Sequence, residues 1–149
     1  MRLNVTIVLA LMLSACGSKH NADGEVTDYQ TEVKLKQYIV QGKQLYTAYC
    51  SNCHQADGTG LAKLYPPLAA SDYLMEDLAR AACIVKNGMH EEIEVNGVIF
   101  NQMMPANQNL APLEIAEIIT YISNSWGNEA GISEVQTING WLRKCEEGN

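Results

Sequence analysis

Residues 50 to 54 read Cys-Ser-Asn-Cys-His, and this motif constrains the fold more than any other part of the sequence. On a helix, the two thiols lie about one turn apart, so they can form thioethers to the two vinyl groups of one haem. The adjacent His54 can then bind the haem iron. A thioredoxin-like redox pair, half of a zinc site and a chance match are the alternatives.

The segment before the motif argues against a redox pair, which normally follows a strand of a βαβ unit. Apolar or small residues recur there at helical spacing: Leu35, Tyr38, Ile39, Gly42, Leu45, Tyr46 and Tyr49. A zinc site needs further ligands at short spacing, and the other cysteines and histidines are distant in the sequence. Haem attachment through Cys50 and Cys53, with His54 as an iron ligand, is therefore the favoured interpretation.

Iron bound by His54 needs a sixth ligand or keeps an open face. The downstream candidates for the sixth ligand are Met75, Met89, His90, Met103 and Met104. We expect the first of these to pack within a helix. Met89 and His90 directly follow Gly88, a plausible helix end, and are expected to be turn or surface residues. The last two candidates precede Pro105 in an irregular segment rich in Asn and Gln, which predicts a loop that can cover one haem face.

Six features of the sequence form one pattern: Gly42, Tyr46, the motif at 50–54, Pro66, Met104 before a proline, and Tyr121. In this pattern, over residues 33 to 127, the chain resembles a single-domain, class I-type bacterial cytochrome c with one haem.

The resemblance implies an all-α haem fold in which the Pro66 carbonyl accepts a hydrogen bond from His54. It also implies that Met104 is the sixth ligand, with Met103 as the neighbouring alternative. In this family the last helix crosses the first at its glycine, which would place Tyr121 against Gly42.

A short hairpin is expected just before the proposed methionine ligand. The stretch from Ile93 to Pro105 resembles a subgroup of the family with such an insertion. Asn96-Gly97 is a preferred two-residue turn, and it lies between the apolar segments 93–95 and 98–100.

Two more helices are predicted after the motif. One begins after Ser71, a plausible N-cap, and ends at Gly88, with one apolar face made of Leu74, Leu78, Ala81, Ala82 and Val85. Another begins near Pro112, and its apolar face, which we expect to point into the core, consists of Ile115, Ile118, Ile119, Ile122 and Trp126.

The N-terminus is typical of an exported bacterial lipoprotein. Arg2 precedes an apolar stretch, Leu3 to Leu13, that is too short to span a bilayer in the mature protein. The sequence Leu13-Ser14-Ala15-Cys16 resembles a lipobox, in which cleavage leaves Cys16 as the lipid-bearing first residue. A plain signal peptide with an incidental cysteine is the alternative. Gly17, in place of an aspartate, favours the outer membrane.

The expected organisation has four parts. Residues 1–15 are a lipoprotein signal peptide, and residues 16–30, which lack apolar periodicity, are a lipid-anchored flexible tether. Residues 31–127 are the cytochrome c domain, and residues 128–149 are a C-terminal helical extension. The protein is therefore expected in the periplasm or at a cell-envelope membrane.

Cys83 and Cys145 remain after lipid and haem have been assigned. At about 100° per residue, Cys83 lies opposite the apolar face of its helix. An apolar stripe predicts an extra helix that leads to Cys145: Ile132, Val135, Ile138 and Leu142. Because an outward-facing free thiol is poorly suited to a compartment outside the cytoplasm, we expect a Cys83–Cys145 disulfide. One buried thiol and one tail thiol are the alternative.

Charge and motif content limit the function. With 17 acidic and 10 basic side chains, the net charge is −7, which argues against nucleic-acid binding and suits a redox protein with a basic docking patch. No motif suggests a catalyst with its own small-molecule substrate. The expected function is single-electron transfer through one covalent haem c. A fixed haem subunit of a larger oxidoreductase or oxidase complex is the main alternative, and a haem sensor or peroxidase is a further one.

Overall fold

The computed structural model describes residues 22 to 147, with side chains from 28 to 145. The expected signal peptide and Cys16 lie outside this range. The elements in chain order are α1 (Ala22–Tyr49), α2 (Ser51–His54), α3 (Asp72–Glu76), α4 (Leu78–Asn87), β1 (Ile93–Val95), β2 (Val98–Phe100), α5 (Pro112–Ile122) and α6 (Val135–Glu147). The predicted fold class, helical with one small hairpin and an additional C-terminal helix, is confirmed.

Helix α1 begins at Ala22, earlier than the sequence analysis predicted. The expectation of a flexible tether over residues 16–30 is therefore wrong for residues 22–30. Residues 28 to 30 are solvent-exposed and carry no apolar stripe, which is why the periodicity did not reveal them. Elongation of an existing helix adds a hydrogen bond per residue without a new nucleation cost, so a polar extension can remain helical. No helix within residues 22–147 combines the length and the apolar character needed to cross a bilayer.

Helices α1 and α5 cross with their backbones in close contact at Gly42. A Cβ atom built on Gly42 would lie 2.7 Å from the Cβ of Tyr121 and would collide with the backbone carbonyl of Glu117. Only a residue without a side chain permits this approach. The predicted packing of Tyr121 against Gly42 is confirmed.

The single helix predicted from Ser71 to Gly88 is two helices. Both predicted ends are confirmed: the hydroxyl of Ser71 accepts a hydrogen bond from the Leu74 N–H, and the Gly88 N–H donates to the Ile84 carbonyl. Asp77 interrupts the helix in an extended conformation, and its carboxylate accepts from the N–H of Arg80. Because an aspartate N-cap satisfies a free N–H of the second helix, α3 and α4 can meet at an angle.

The predicted hairpin is present. Strands β1 and β2 pair antiparallel, with Ile93 opposite Phe100 and Val95 opposite Val98, and Asn96-Gly97 forms the turn. The turn is attached to α3 by two hydrogen bonds between Asp72 and Asn96. Val95 and Phe100 are buried, so the hairpin contributes one apolar face to the interior.

Helix α5 lies at the centre of the core, and α1, α4 and α6 all pack against it. Its inward side chains are almost fully buried: Ile115, Ala116, Ile118, Ile119 and Ile122. Ile138 and Leu142 of α6 are buried as predicted. Trp126 lies beyond the end of α5 and is only half-buried.

A disulfide joins Cys83 of α4 to Cys145 of α6, and the two Cα atoms are 6.0 Å apart. The bond links residues 62 positions apart, so it restricts the unfolded chain strongly. The disulfide holds α6 against α4.

We expect reduction of this disulfide, or the Cys83→Ser/Cys145→Ser double variant, to lower the free energy of unfolding by roughly 2–4 kcal/mol. Denaturant titration followed by circular dichroism measures the change. Intact-mass spectrometry should show a gain of two hydrogens on reduction. Alkylation of both thiols in the unreduced protein would contradict the pairing.

Candidate functional site

The Cys50–His54 motif lies at the junction of α1 and α2. The N–H of Cys50 continues the α1 hydrogen bonding by donating to the Tyr46 carbonyl at 2.9 Å, and the N–H of His54 donates to the Cys50 carbonyl at 3.0 Å. Cys50 and Cys53 are half-buried free thiols, whereas His54 is buried. In the part of the chain that the structure describes, no three His, Cys, Asp or Glu side chains cluster as a metal site would.

His54 has a defined orientation because Nδ1 lies 3.0 Å from the carbonyl oxygen of Pro66. A carbonyl can only accept, so Nδ1 carries the proton and Nε2 keeps a free lone pair. Burial lowers the pKa of His54, and the hydrogen bond to Pro66 offsets part of this effect. The imidazole is therefore neutral near pH 7, the form that binds a metal.

The loop between α2 and α3 places the Pro66 carbonyl. Gly60 donates its N–H to the carbonyl of His54 at 3.0 Å, and the Leu68 N–H donates to the Gly58 carbonyl at 2.8 Å. The buried amide of Asn128 donates to the carbonyls of Leu68 and Ile122, both at 2.8 Å. The role of Asn128 was not predicted, because an isolated amide after the last core helix gives no signal of its long-range partners.

Two adjacent cavities lie beside His54. The larger has a volume of about 80 Å³ and the smaller about 50 Å³. Cys50 lines the larger cavity and Cys53 the smaller. The residues common to both are His54, Pro66, Met89, Ile93 and Met104. Apolar side chains form most of the remaining walls, among them Leu68, Leu74, Val85, Val95, Ile118 and Ile122.

The structure separates the two neighbouring methionines. Met104 is half-buried and lines both cavities, whereas Met103 is 51% exposed and lines only the smaller one. Met104 and His54 therefore line the same two cavities.

Met89 was predicted to be a turn or surface residue, and this prediction is wrong. Met89 is half-buried, lines both cavities and pairs with Met104 through two backbone hydrogen bonds of 2.9 Å. The two paired residues are 15 positions apart in the sequence, and no local pattern indicates that they pair. Gly88, with a φ of +78°, permits it, since a Cβ there would lie 2.7 Å from the carbonyl oxygen of Met104.

Three aromatic rings support the wall of the larger cavity. Tyr46, Tyr121 and Trp126 pack with ring centroids 5.1 to 5.4 Å apart. The Tyr46 hydroxyl donates to the Gln55 carbonyl at 2.5 Å, next to His54. Burial raises the pKa of Tyr46 well above its usual value. The wall is therefore neutral as well as apolar.

The chain is similar to several characterised proteins. It is 32% identical over 93 residues to cytochrome c-552 of Thermus thermophilus, a match that covers 58% of this chain and 69% of that protein. A second cytochrome c-552 sequence of this species is also 32% identical, with 61% of its length covered. The cytochrome c subunit of a quinone alcohol dehydrogenase from Gluconacetobacter polyoxogenes is 30% identical over 94 residues, but the match spans only 20% of that subunit.

The family model for cytochrome c matches residues 39–126, which include helix α1 from Ile39, the motif at 50–54, the hairpin and helix α5. This match covers more than half of the chain. Members of the family bind haem c covalently and transfer electrons through its iron. The chain therefore belongs to the cytochrome c family.

Proposed function

We propose that this protein carries single electrons with one haem c, held by thioethers to Cys50 and Cys53 and ligated by His54 and Met104, at a bacterial cell-envelope membrane. One observation carries the proposal. His54, whose Nδ1 proton is held by the Pro66 carbonyl, lines the same two cavities as Met104.

The residues present fit a covalently held porphyrin. The cavities have apolar walls, and the two thiols of the motif line them, one in each cavity. One nitrogen donor and one sulfur donor are the ligands found in cytochromes c.

Haem iron in such a site supplies a one-electron couple. The Pro66 carbonyl orients the imidazole of His54, so the ligand needs little movement when the charge of the site changes. Bound to the iron, the Met104 thioether would raise the reduction potential relative to a second imidazole. With His54 and Met104 both bound, no position would remain open for a substrate, and the apolar walls would exclude water. These features support electron transfer over catalysis or gas sensing.

Carbon monoxide distinguishes a carrier from a sensor or peroxidase. With Met104 bound, we expect the ferrous protein to show no rapid binding of carbon monoxide at neutral pH, because the sixth position is filled. Stopped-flow absorbance after mixing with carbon monoxide measures this directly. Fast, stoichiometric binding would contradict the proposed ligation and favour a sensor or peroxidase.

Membrane attachment is proposed from the sequence at residues 1–17. Cleavage before Cys16 would leave a lipid-bearing cysteine, and two or more acyl chains anchor a protein stably. The N-terminal segment indicates export, and Gly17 favours the outer membrane.

The net charge of −7 supports a redox partner with a basic docking patch.

We expect Cys16→Ser to release the protein from membranes while leaving haem incorporation intact, because the variant lacks the acylated thiol. Membrane fractionation and the mass of the mature N-terminal peptide measure the effect. A wild-type peptide without acyl chains would contradict lipid anchoring, and it would leave the electron-transfer proposal standing.

A fixed subunit of a larger oxidoreductase is the second candidate. The similarity to the cytochrome c subunits of quinone alcohol dehydrogenases favours it. Crosslinking in native membranes followed by purification distinguishes the two roles. Recovery of one stoichiometric enzyme partner would favour the subunit, whereas several partners in substoichiometric amounts would favour a shuttle.

A further inference from the structure

The loop of residues 101–111, between β2 and α5, is attached to the C-terminal end of α4. Two backbone hydrogen bonds pair Met104 with Met89, just beyond that end, and the N–H of Asn107 donates to the carbonyl of Val85 at 3.1 Å. The position of Met104 therefore depends on how firmly this loop is held to α4.

Lys86 adds a side-chain connection between the same helix and the 101–111 loop. Its Nζ donates to the carbonyl of Gln108 at 2.7 Å and to the carbonyl of Leu110 at 3.0 Å. Lys86 is half-buried, and Leu110 is buried in the core. The bond to Gln108 is exposed and the bond to Leu110 is partly buried. Hydrogen bonds from a charged donor are stronger than neutral ones.

We propose that Lys86 is a positioning residue for the iron ligand Met104. By bonding the carbonyls of Gln108 and Leu110, it keeps the 101–111 loop closed against α4 and so keeps the Met104 thioether beside the cavities. The inference rests on the proposed ligation by Met104. Without Lys86, the loop retains the Met89–Met104 pairing and the Asn107–Val85 bond, and it opens locally more often.

A merely structural role for Lys86 has a different signature. A lysine in the last turn of a helix also stabilises the helix dipole. Such an effect would lower the stability of α4 without a specific effect on the loop. Lys144 is the matched control, since it occupies the last turn of α6 in the same way.

The experiment compares the purified holoprotein with Lys86→Met, Lys86→Arg and Lys144→Met. Methionine keeps the apolar stem of the side chain but removes the donor. In the ferric protein, imidazole can bind only when Met104 leaves the iron, so its apparent affinity reports on loop opening. We expect Lys86→Met to raise the imidazole affinity roughly tenfold and to accelerate amide exchange at Met104 and Asn107 by a similar factor.

The other variants complete the test. Lys86→Arg should retain most of the wild-type behaviour, because its guanidinium can donate to both carbonyls. Lys144→Met should match the wild type. Unchanged imidazole affinity in Lys86→Met, or an equal change in Lys144→Met, would overturn the role of Lys86 while the ligation stands. A wild-type ferric spectrum without an iron–thioether band would overturn the ligation itself, and the inference with it.

Discussion

Replacing Met104 with alanine is expected to abolish the iron–thioether absorption band and to lower the reduction potential on the order of 0.2 V, within the roughly 0.8 V range that axial ligands span. The thioether is a soft ligand that favours ferrous iron, and alanine has no donor atom. The opened position should also admit carbon monoxide. Ferric absorption spectra, a redox titration and carbon monoxide mixing measure the three effects.

Met103→Leu is the matched control for this prediction. Met103 is the adjacent thioether, but it is half exposed and lines only the smaller cavity. Leucine at this position should preserve the absorption band and change the potential by a small fraction of the Met104→Ala effect. If Met103→Leu removed the band and Met104→Ala preserved it, the assignment of the ligand would be wrong.

Gly42→Ala is expected to lower the free energy of unfolding by about 3 kcal/mol or more. The added Cβ would collide with the backbone carbonyl of Glu117 and lie 2.7 Å from the Cβ of Tyr121. A backbone carbonyl within a helix cannot rotate away, so α1 and α5 must separate. Because α1 leads directly into the Cys50–His54 motif, this separation should also reduce haem incorporation. Denaturant titration and the haem content of the purified protein measure the two effects.

Gly140→Ala provides the comparison for the Gly42 variant. Gly140 also lies in a helix, but a Cβ there would meet only the end of the Arg143 side chain, at 4.0 Å. Alanine has a higher helix propensity than glycine, so this variant should be neutral or stabilised by up to about 1 kcal/mol. Equal stabilities of the two variants would contradict the close crossing of α1 and α5.

Local patterns predicted much of the fold. The apolar spacing of α5 and the stripe of α6 predicted their buried faces, and Ser71, Gly88 and Asn96-Gly97 predicted the ends of helices and the turn of the hairpin. These features depend on backbone sterics and on hydrogen bonds within a few residues, so the chain carries them locally. The polar start of α1 and the break at Asp77 were missed, because neither changes the apolar periodicity.

The candidate site likewise has one part that local sequence patterns predicted and another part that they did not. Cys50, Cys53 and His54 are adjacent in the sequence, so a single helical turn brings their side chains together wherever the chain folds. Met89, Asn128 and Lys86 each have a backbone partner that lies 15 to 60 residues away in the sequence. Hydrogen bonds to a distant backbone carbonyl produce no recognisable sequence pattern, because every residue has a backbone carbonyl.

The amino-acid sequence by itself determined the chemistry of this protein: a covalent haem motif, an acidic and mostly helical framework, and the residue types that bind iron. Only the tertiary structure decided which of two adjacent methionines lines both cavities, and how the 101–111 loop is held to α4. The physical reason is that each side chain by itself determines which atoms it offers to a metal. The position of a ligand, in contrast, depends on hydrogen bonds and close contacts between segments that are distant in the sequence.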